Sequence, residues 1–123
     1  MLLDSNLIIY ASRPQHAGLR TFIAREVPSV SAISEVETLG YPDLTEAEKQ
    51  FLGEFFEAAE VLPVSQSAIT EAIQLRQQRR MSLGDALIGG TALSQNLRLA
   101  THNTSDFEWI ERLTVIDPLS SEQ

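Results

Sequence analysis

The stretch Met1-Leu2-Leu3-Asp4-Ser5-Asn6 decides the fold of this chain. Its first three residues are apolar and predict a short buried strand, which the polar triplet ends. The run Leu7-Ile8-Ile9-Tyr10-Ala11 is apolar throughout, so it predicts a helix packed inward. A buried strand followed directly by a buried helix is typical of sheets whose parallel strands are covered by helices.

The same alternation of strand and helix patterns continues along the chain. Further strands are predicted at the stretches 27–33, 61–64, 97–100 and 113–116. Helical patterns lie between them, and their apolar faces or starts are marked by Leu19, Ser34, Thr45, Ser67 and Leu83. This alternation predicts an α/β three-layer sandwich with a mostly parallel central sheet. We expect a single domain over residues 1–123, with residues 118–123 as a loose tail.

Composition is typical of a globular protein. Hydrophobic residues make up 43% and charged residues 21%, so the chain can build a core and is not predicted to be disordered. No apolar run approaches the roughly 20 residues that span a bilayer, and the first residues lack a secretory signal pattern. Cysteine is absent and only two histidines occur, which argues against thiolate and histidine-rich metal sites. We therefore expect a cytoplasmic protein without membrane contact.

The net charge of −8 argues against a protein that binds nucleic acid by broad neutralisation of phosphates. A nuclease that holds its substrate through metal ions is different, because bound cations reverse the sign of the local field. Arg76, Arg79 and Arg80 form a basic cluster in this acidic chain. Two interpretations of the cluster stay open: a solvated helix end that suits the helix dipole, or an edge that binds substrate or partner.

Four acids are predicted to lie where strands end or helices begin. Asp4 follows the first strand, Glu37 is placed in the first turn of the helix after the second strand, Asp85 begins a small-residue helix, and Asp106 follows the fourth strand. The carboxyl ends of parallel strands form one edge of a sheet, so we expect the four carboxylates to converge there. Such carboxylates repel one another, and a hard cation such as Mg²⁺ or Mn²⁺ offsets that repulsion. The same ion can orient an attacking water and stabilise charge on a phosphodiester.

A structural alternative exists for three of these acids. Three pairs have the spacing of a helix N-cap and its third residue: Ser34 with Glu37, Ser82 with Asp85, and Asn103 with Asp106. Acids in a first helical turn stabilise the helix by themselves. Spacing alone therefore leaves both interpretations open, and Asp4 is the acid with no evident structural need.

Four motifs, in their order along the chain, resemble those of PIN-domain proteins. Leu2-Leu3-Asp4-Ser5-Asn6 is similar to the family's opening strand and its Asp, and Ser31-Ala32-Ile33-Ser34-Glu35-Val36-Glu37 to the second motif. Gly84-Asp85-Ala86-Leu87-Ile88 resembles the third motif, an Asp that leads a helix of small residues. Leu99-Ala100-Thr101-His102-Asn103-Thr104-Ser105-Asp106-Phe107 resembles the fourth, with Thr, Asn and a final Asp-Phe. The likeness spans the whole chain and is greatest to short toxins of the VapC type.

This resemblance implies a Mg²⁺- or Mn²⁺-dependent endoribonuclease that hydrolyses RNA phosphodiester bonds and is the toxin of a toxin–antitoxin pair. It implies that the metal ligands and catalytic residues are Asp4, Glu37, Asp85 and Asp106. The side chains that would orient these acids or the attacking water are Asn6, Ser34, Thr101 and Asn103. A homodimer and a cognate antitoxin protein are the implied assemblies, with RNA as the substrate.

Two departures from the family's pattern leave other functions open. His102 stands where Arg or Lys is frequent, and Gly89-Gly90 replaces alanines, which costs up to about 1 kcal/mol per residue in a helix unless close packing compensates. The alternative function is therefore a PIN-like RNA- or protein-binding domain with weak or no cleavage. A phosphoryl-transfer receiver or phosphatase is a second rival, which the triplet Asp4-Ser5-Asn6 speaks against. Trp109 is expected to anchor a core or an interface rather than to stack on bases.

Overall fold

Five short parallel strands form the centre of the computed structural model, which describes residues 1–120. Each strand is two residues long: β1 (Leu2–Leu3), β2 (Val30–Ser31), β3 (Val61–Leu62), β4 (Leu99–Ala100) and β5 (Val115–Ile116). All five lie inside the stretches predicted from the sequence. The prediction of an α/β fold with a parallel sheet is therefore confirmed.

Six α-helices connect and cover these strands within residues 1–120. They are α1 (Ser5–Ala11), α2 (Ala17–Glu26), α3 (Ala32–Leu39), α4 (Glu46–Ala58), α5 (Gln66–Gln78) and α6 (Leu83–Ser94). A 3₁₀ turn, Thr104–Asp106, follows β4. None of the helices in this part of the chain is long and apolar enough to cross a membrane.

The predicted strand over 27–33 is shorter in the structure because helices occupy both of its ends. Val27 ends α2 in the left-handed conformation, with φ 46°, and Ala32 already begins α3 behind its N-cap Ser31. The prediction that Ser34 opens this helix was therefore wrong. Ser34 is the third helical residue, and Glu37 lies in the second turn rather than the first.

The strands lie in the spatial order β3-β2-β1-β4-β5. β1 pairs with β4 and β4 with β5, β2 pairs with β3, and a parallel bridge between Leu2 and Ser29 joins the two groups. The N–H of Leu3 donates to the carbonyl of Ser29 at 2.9 Å. The chain extends from β1 to one side through β2 and β3, and to the other side through β4 and β5. In such sheets ligands bind outside the carboxyl ends of the strands where the order reverses, which here is between β1 and β4.

Successive strand residues face opposite sides of the sheet and therefore enter two separate cores. Leu3 and Ala100 pack with apolar residues of α1, α2 and α4. Leu2 and Leu99 pack on the other face with residues of α5, α6 and the segment after β4. Two helical layers thus enclose one sheet, which is the three-layer arrangement expected from the alternating pattern.

Residues 118–120 form a turn after β5. The N–H of Leu119 donates to Asp117 Oδ1 at 2.9 Å, and the Leu119 side chain packs against the core that contains Leu3. The rest of the predicted tail, residues 121–123, lies outside the described residues. A loose tail therefore stays a prediction for those three residues.

A close approach of α5 and α6 explains the glycines of α6. A Cβ at Gly90 would lie 2.5 Å from the carbonyl oxygen of Ala68 and 2.9 Å from the nitrogen of Ala72, both in α5. A Cβ at Gly89 would lie 3.2 Å from Leu75 Cδ1. The α5 backbone therefore lies where an alanine at position 90 would not fit, and this packing offsets the low helix propensity of Gly90.

Gly90→Ala is expected to lower the free energy of unfolding by about 1–3 kcal/mol, because the added methyl group meets backbone atoms of α5. Gly53→Ala is the matched control, since nothing lies within 4 Å of the position that a Cβ would take there in α4. That variant should be at least as stable as the wild type because Ala favours helix by about 1 kcal/mol over Gly. Urea denaturation measures both, and equal midpoints would contradict the close approach.

Candidate active site

Asp4 is the buried acid at the reversal of strand order. It directly follows β1, caps α1 by accepting the Ser5 N–H at Oδ1 (2.8 Å), and accepts the Thr101 hydroxyl at Oδ2 (2.7 Å). Thr101 directly follows β4, so this second hydrogen bond joins the two strands at their carboxyl ends. Only 4% of the Asp4 surface is exposed. Both carboxylate oxygens are therefore fixed, and the side chain has one defined orientation.

Glu37 reaches the same edge from α3 through a serine pair. The Ser5 hydroxyl donates to Glu37 Oε1 at 2.8 Å and also lies 2.8 Å from the hydroxyl of Ser34. Ser34 is fully buried, whereas Glu37 is exposed. Ser34 thus supports Glu37 indirectly, through Ser5, rather than as the helix cap that the spacing suggested.

Asp85 and Asp106 complete the cluster from the other side of β1. Asp85 is in the first turn of α6, where its N–H donates to the cap Ser82 Oγ at 3.1 Å, as the sequence predicted. Asp106 is exposed and ends the 3₁₀ turn after β4. The predicted cap by the Asn103 side chain was wrong, because the Asp106 N–H donates to the Asn103 backbone carbonyl at 3.1 Å instead.

The pKa values of Asp4 and Asp85 are raised by burial and by the charges of neighbouring carboxylates. Burial raises the pKa of Asp4 to about 6, the hydrogen bond from Thr101 opposes this rise, and the carboxylates of Asp85 and Glu37 add to it. Burial also raises the pKa of Asp85, reinforced by the charge of Asp106 and, more weakly, of Glu37. Within residues 1–120, no Arg or Lys forms an ion pair with any of the four. The structure therefore brings the predicted acids together as an uncompensated cluster.

The cluster is not a preassembled ligand set. In the part of the chain that the structure describes, no three Asp, Glu or His side chains are grouped so that they could hold an ion as they stand. Of the predicted supporting residues, Thr101 bonds Asp4, and the Asn103 N–H donates to Thr101 Oγ1 at 3.1 Å. Asn6 is exposed, and its side chain makes no hydrogen bond within residues 1–120.

Sequence reasoning missed two residues that position Glu37. Ser5 follows Asp4 in the first motif and had no predicted role, yet its hydroxyl joins Glu37 to Ser34. Gly84 is the second residue of α6 and directly precedes Asp85, and a Cβ there would collide with Glu37 Oε2. The signals in the sequence were that Ser5 follows Asp4 and that Gly84 precedes Asp85. Neither signal shows that the residue contacts Glu37, which only the tertiary structure brings near.

The family model of the PIN domain matches residues 1–113, a span that contains all four acids. The chain belongs to the PIN domain family. Its fold is similar to that of a toxin–antitoxin complex from Klebsiella pneumoniae, with 25% identity and a TM-score of 0.72 over 95% of this chain and 96% of that one. FitAcB from Neisseria gonorrhoeae is similar at 26% identity and a TM-score of 0.75, over 95% and 96% of the two chains.

VapBC2 from Rickettsia felis, solved with a DNA fragment from its promoter, shares the fold of this PIN domain at a TM-score of 0.82. Its identity is 20%, with 94% of this chain and 96% of that one covered, so this likeness concerns the fold alone. No curated protein matches the sequence. The Klebsiella pneumoniae structure that resembles this PIN domain is thus that of a toxin–antitoxin complex.

The stability of the metal-free PIN domain should fall as pH rises, because of Asp4. Its pKa is about 6 in the fold, above an ordinary value of about 3.9, so the stability it contributes is present below pH 3.9 and lost as pH rises through 6. In EDTA, the wild type should lose about 2 kcal/mol between about pH 4.5 and pH 7.5 relative to Asp4→Asn. Urea unfolding across this range measures how the free energy of unfolding changes with pH. The control Asp43→Asn should show the same change as the wild type. If Asp4→Asn also showed that change, Asp4 would not be its cause.

Proposed function

We propose that this PIN domain is a metal-dependent endoribonuclease that hydrolyses RNA phosphodiester bonds. Members of the PIN family are generally nucleases, and the neighbours of this chain are toxin–antitoxin complexes. The observation that carries the proposal is the convergence of Asp4, Asp85, Glu37 and Asp106 at the reversal of strand order, without a cation to compensate them. Repulsion among the four carboxylates destabilises the site, and a bound cation relieves that repulsion.

The donor set fits Mg²⁺ or Mn²⁺, which prefer carboxylate oxygen and water. Asp4 and Asp85 would hold the ion directly, and Glu37 and Asp106, which are exposed, would join directly or through water. When bound, the ion supplies a polarised water and stabilises charge on the phosphodiester. The chain's own residues do the positioning: Thr101 and Ser5 fix both oxygens of Asp4, and Ser5 also fixes one oxygen of Glu37.

The toxin role and its partners form a second part of the proposal. The fold is similar to that of a toxin–antitoxin complex from Klebsiella pneumoniae, which supports a cognate antitoxin for this chain in a cytoplasmic setting. A homodimer is supported by exposed apolar side chains on and beside α3 and at the start of α6, notably Val36 (69% exposed) and Leu83 (59%). RNA is the proposed substrate because the motifs resemble those of VapC-type endoribonucleases, and an acidic cluster that takes a metal ion suits a phosphodiester.

A PIN-like domain that binds without cleaving is the alternative function. It is favoured by the absence, within residues 1–120, of three acids already grouped to hold an ion. In that case Glu37, Asp85 and Asp106 would serve only to stabilise the helical turns that carry them. Asp4 would serve only as the buried cap of α1. Metal affinity separates the two functions, because a domain without metal binding cannot use this mechanism.

Asp4→Asn and Asp85→Asn should each reduce Mn²⁺-dependent RNA cleavage to background while the domain stays folded. Each removes a carboxylate that would hold the ion, whereas Asp43→Asn changes an exposed acid outside the cluster and should cleave like the wild type. Cleavage of a structured RNA pool with Mn²⁺, together with calorimetric titration of Mn²⁺, measures both effects. Failure of the wild type to bind Mn²⁺ would reject the nuclease and favour the binding-only domain.

Gly84→Ala should weaken Mn²⁺ affinity on the order of 10- to 100-fold by displacing Glu37, a magnitude typical of residues that orient ligands. The added Cβ meets the end of a flexible side chain, so the fold should persist and the stability in urea should not fall. Gly53→Ala, in open space on α4, is the control that should leave affinity unchanged. Unchanged affinity in Gly84→Ala would show that Glu37 contributes nothing to the site.

A further inference from the structure

The positive charges of this chain are unevenly paired. Of nine Lys and Arg residues, four form ion pairs with glutamates: Arg13, Arg25, Lys49 and Arg112. Arg20 donates to backbone carbonyls. The remaining four have no acidic partner among residues 1–120: Arg76, Arg79, Arg80 and Arg98. Three of these four lie together at the end of α5, so the unpaired positive charge is concentrated at one place in the fold.

A short loop connects this cluster to the helix that carries Asp85. Arg79 is the C-cap of α5, and only residues 80–82 separate it from α6, whose first turn carries Asp85. Arg76 and Arg80, together with Met81, line a depression of about 530 Å³. All three arginines are exposed. A ligand that reached the acids from this side would therefore pass the arginines.

Trp109 connects the cluster to Asp106. The guanidinium carbon of Arg79 lies 5.5 Å from the centre of the Trp109 ring, and the indole Nε1 donates to the backbone carbonyl of Asp106 at 3.0 Å. The Trp109 side chain also packs against the core that contains Leu2, which agrees with its predicted role as an anchor. Arg79 thus lies over a ring that is hydrogen-bonded to the backbone of Asp106, in a geometry where cation–π attraction is about 0.5–1 kcal/mol at exposed sites.

We propose that Arg76, Arg79 and Arg80 form a phosphate-binding edge that holds the RNA backbone beside the four acids. The inference rests on the proposed RNA substrate, and it settles the choice left open for this cluster in favour of substrate binding. Guanidinium groups match phosphate oxygens in a bidentate geometry, and Arg79 is already oriented by Trp109. In a chain of net charge −8, such an edge supplies the local positive field that an RNA strand requires next to repelling carboxylates.

The test compares RNA binding by two variants that each lose three positive charges. One is Arg76→Gln/Arg79→Gln/Arg80→Gln, and the control is Arg25→Gln/Lys49→Gln/Arg98→Gln, which changes exposed cations elsewhere. Fluorescence anisotropy in EDTA, with a labelled single-stranded RNA of mixed sequence, gives the affinity at several salt concentrations. Urea unfolding confirms that each variant is folded.

The cluster variant should lose about 2 from the slope of log affinity against log salt, since each phosphate contact with a single strand contributes about 0.7. Over the decade from about 1 M to about 0.1 M salt this corresponds to roughly 100-fold weaker binding at the lower concentration. The control should keep the wild-type slope, and Arg76→Lys/Arg79→Lys/Arg80→Lys should keep most of it, since it keeps the three positive charges. Equal losses in the cluster variant and the control would overturn the proposal.

Further outcomes distinguish the phosphate-binding edge from a site for an acidic protein and from the nuclease function. If the cluster variant kept its RNA affinity but lost binding to poly-glutamate, the edge would serve an acidic protein and the proposal would be wrong. If the wild type bound RNA through the arginines but never cleaved it with Mn²⁺, the phosphate-binding edge would stand and the nuclease function would fail. Cleavage with unchanged RNA affinity in the cluster variant would leave the nuclease standing and reject the edge.

Discussion

The hydrogen bond from Thr101 to Asp4 is the interaction on which the site depends. It joins the carboxyl ends of β1 and β4 at the point where strand order reverses, and it fixes one oxygen of a carboxylate whose other oxygen caps α1. The buried Asp4 therefore connects β1 to β4, caps α1 and places a carboxylate at the carboxyl ends of the two strands. Burial raises the pKa of Asp4 to about 6, so the fold keeps this carboxylate where ionisation is unfavourable without a counter-charge.

The other acids depend on packing that lies away from them. Asp85 is placed by the start of α6, and α6 approaches α5 closely because Gly90 leaves room for the opposing backbone. Glu37 is placed by the hydroxyl of Ser5 and by the space left at Gly84. Residues without charge thus decide where the charges meet, which is the usual relation between a polar site and the shell that orients it.

An acidic chain can still present a favourable path to a polyanion if its charges are segregated. Most of the cations away from the end of α5 are engaged with glutamates or carbonyls, whereas the arginines at that end lack acidic partners within residues 1–120. The carboxylates gather at the carboxyl ends of β1 and β4. Net charge describes neither patch, because fields at a surface are set by the nearest groups within about a Debye length, roughly 10 Å at 0.1 M salt.

The sequence by itself determined the alternation of strands and helices, the parallel sheet and the four acids, because apolar periodicity and the position of acids after strands are local signals. It misjudged the details that compete locally: Ser31, not Ser34, caps α3, and Asn103 caps through its backbone rather than its side chain. Only the tertiary structure decided which hydroxyls and glycines position the acids, and that Arg79 at the end of α5 lies over Trp109, whose indole bonds the backbone of Asp106. Those contacts join residues that are distant in sequence. Local sequence patterns do not encode such contacts, because they arise only when the helices and strands pack together.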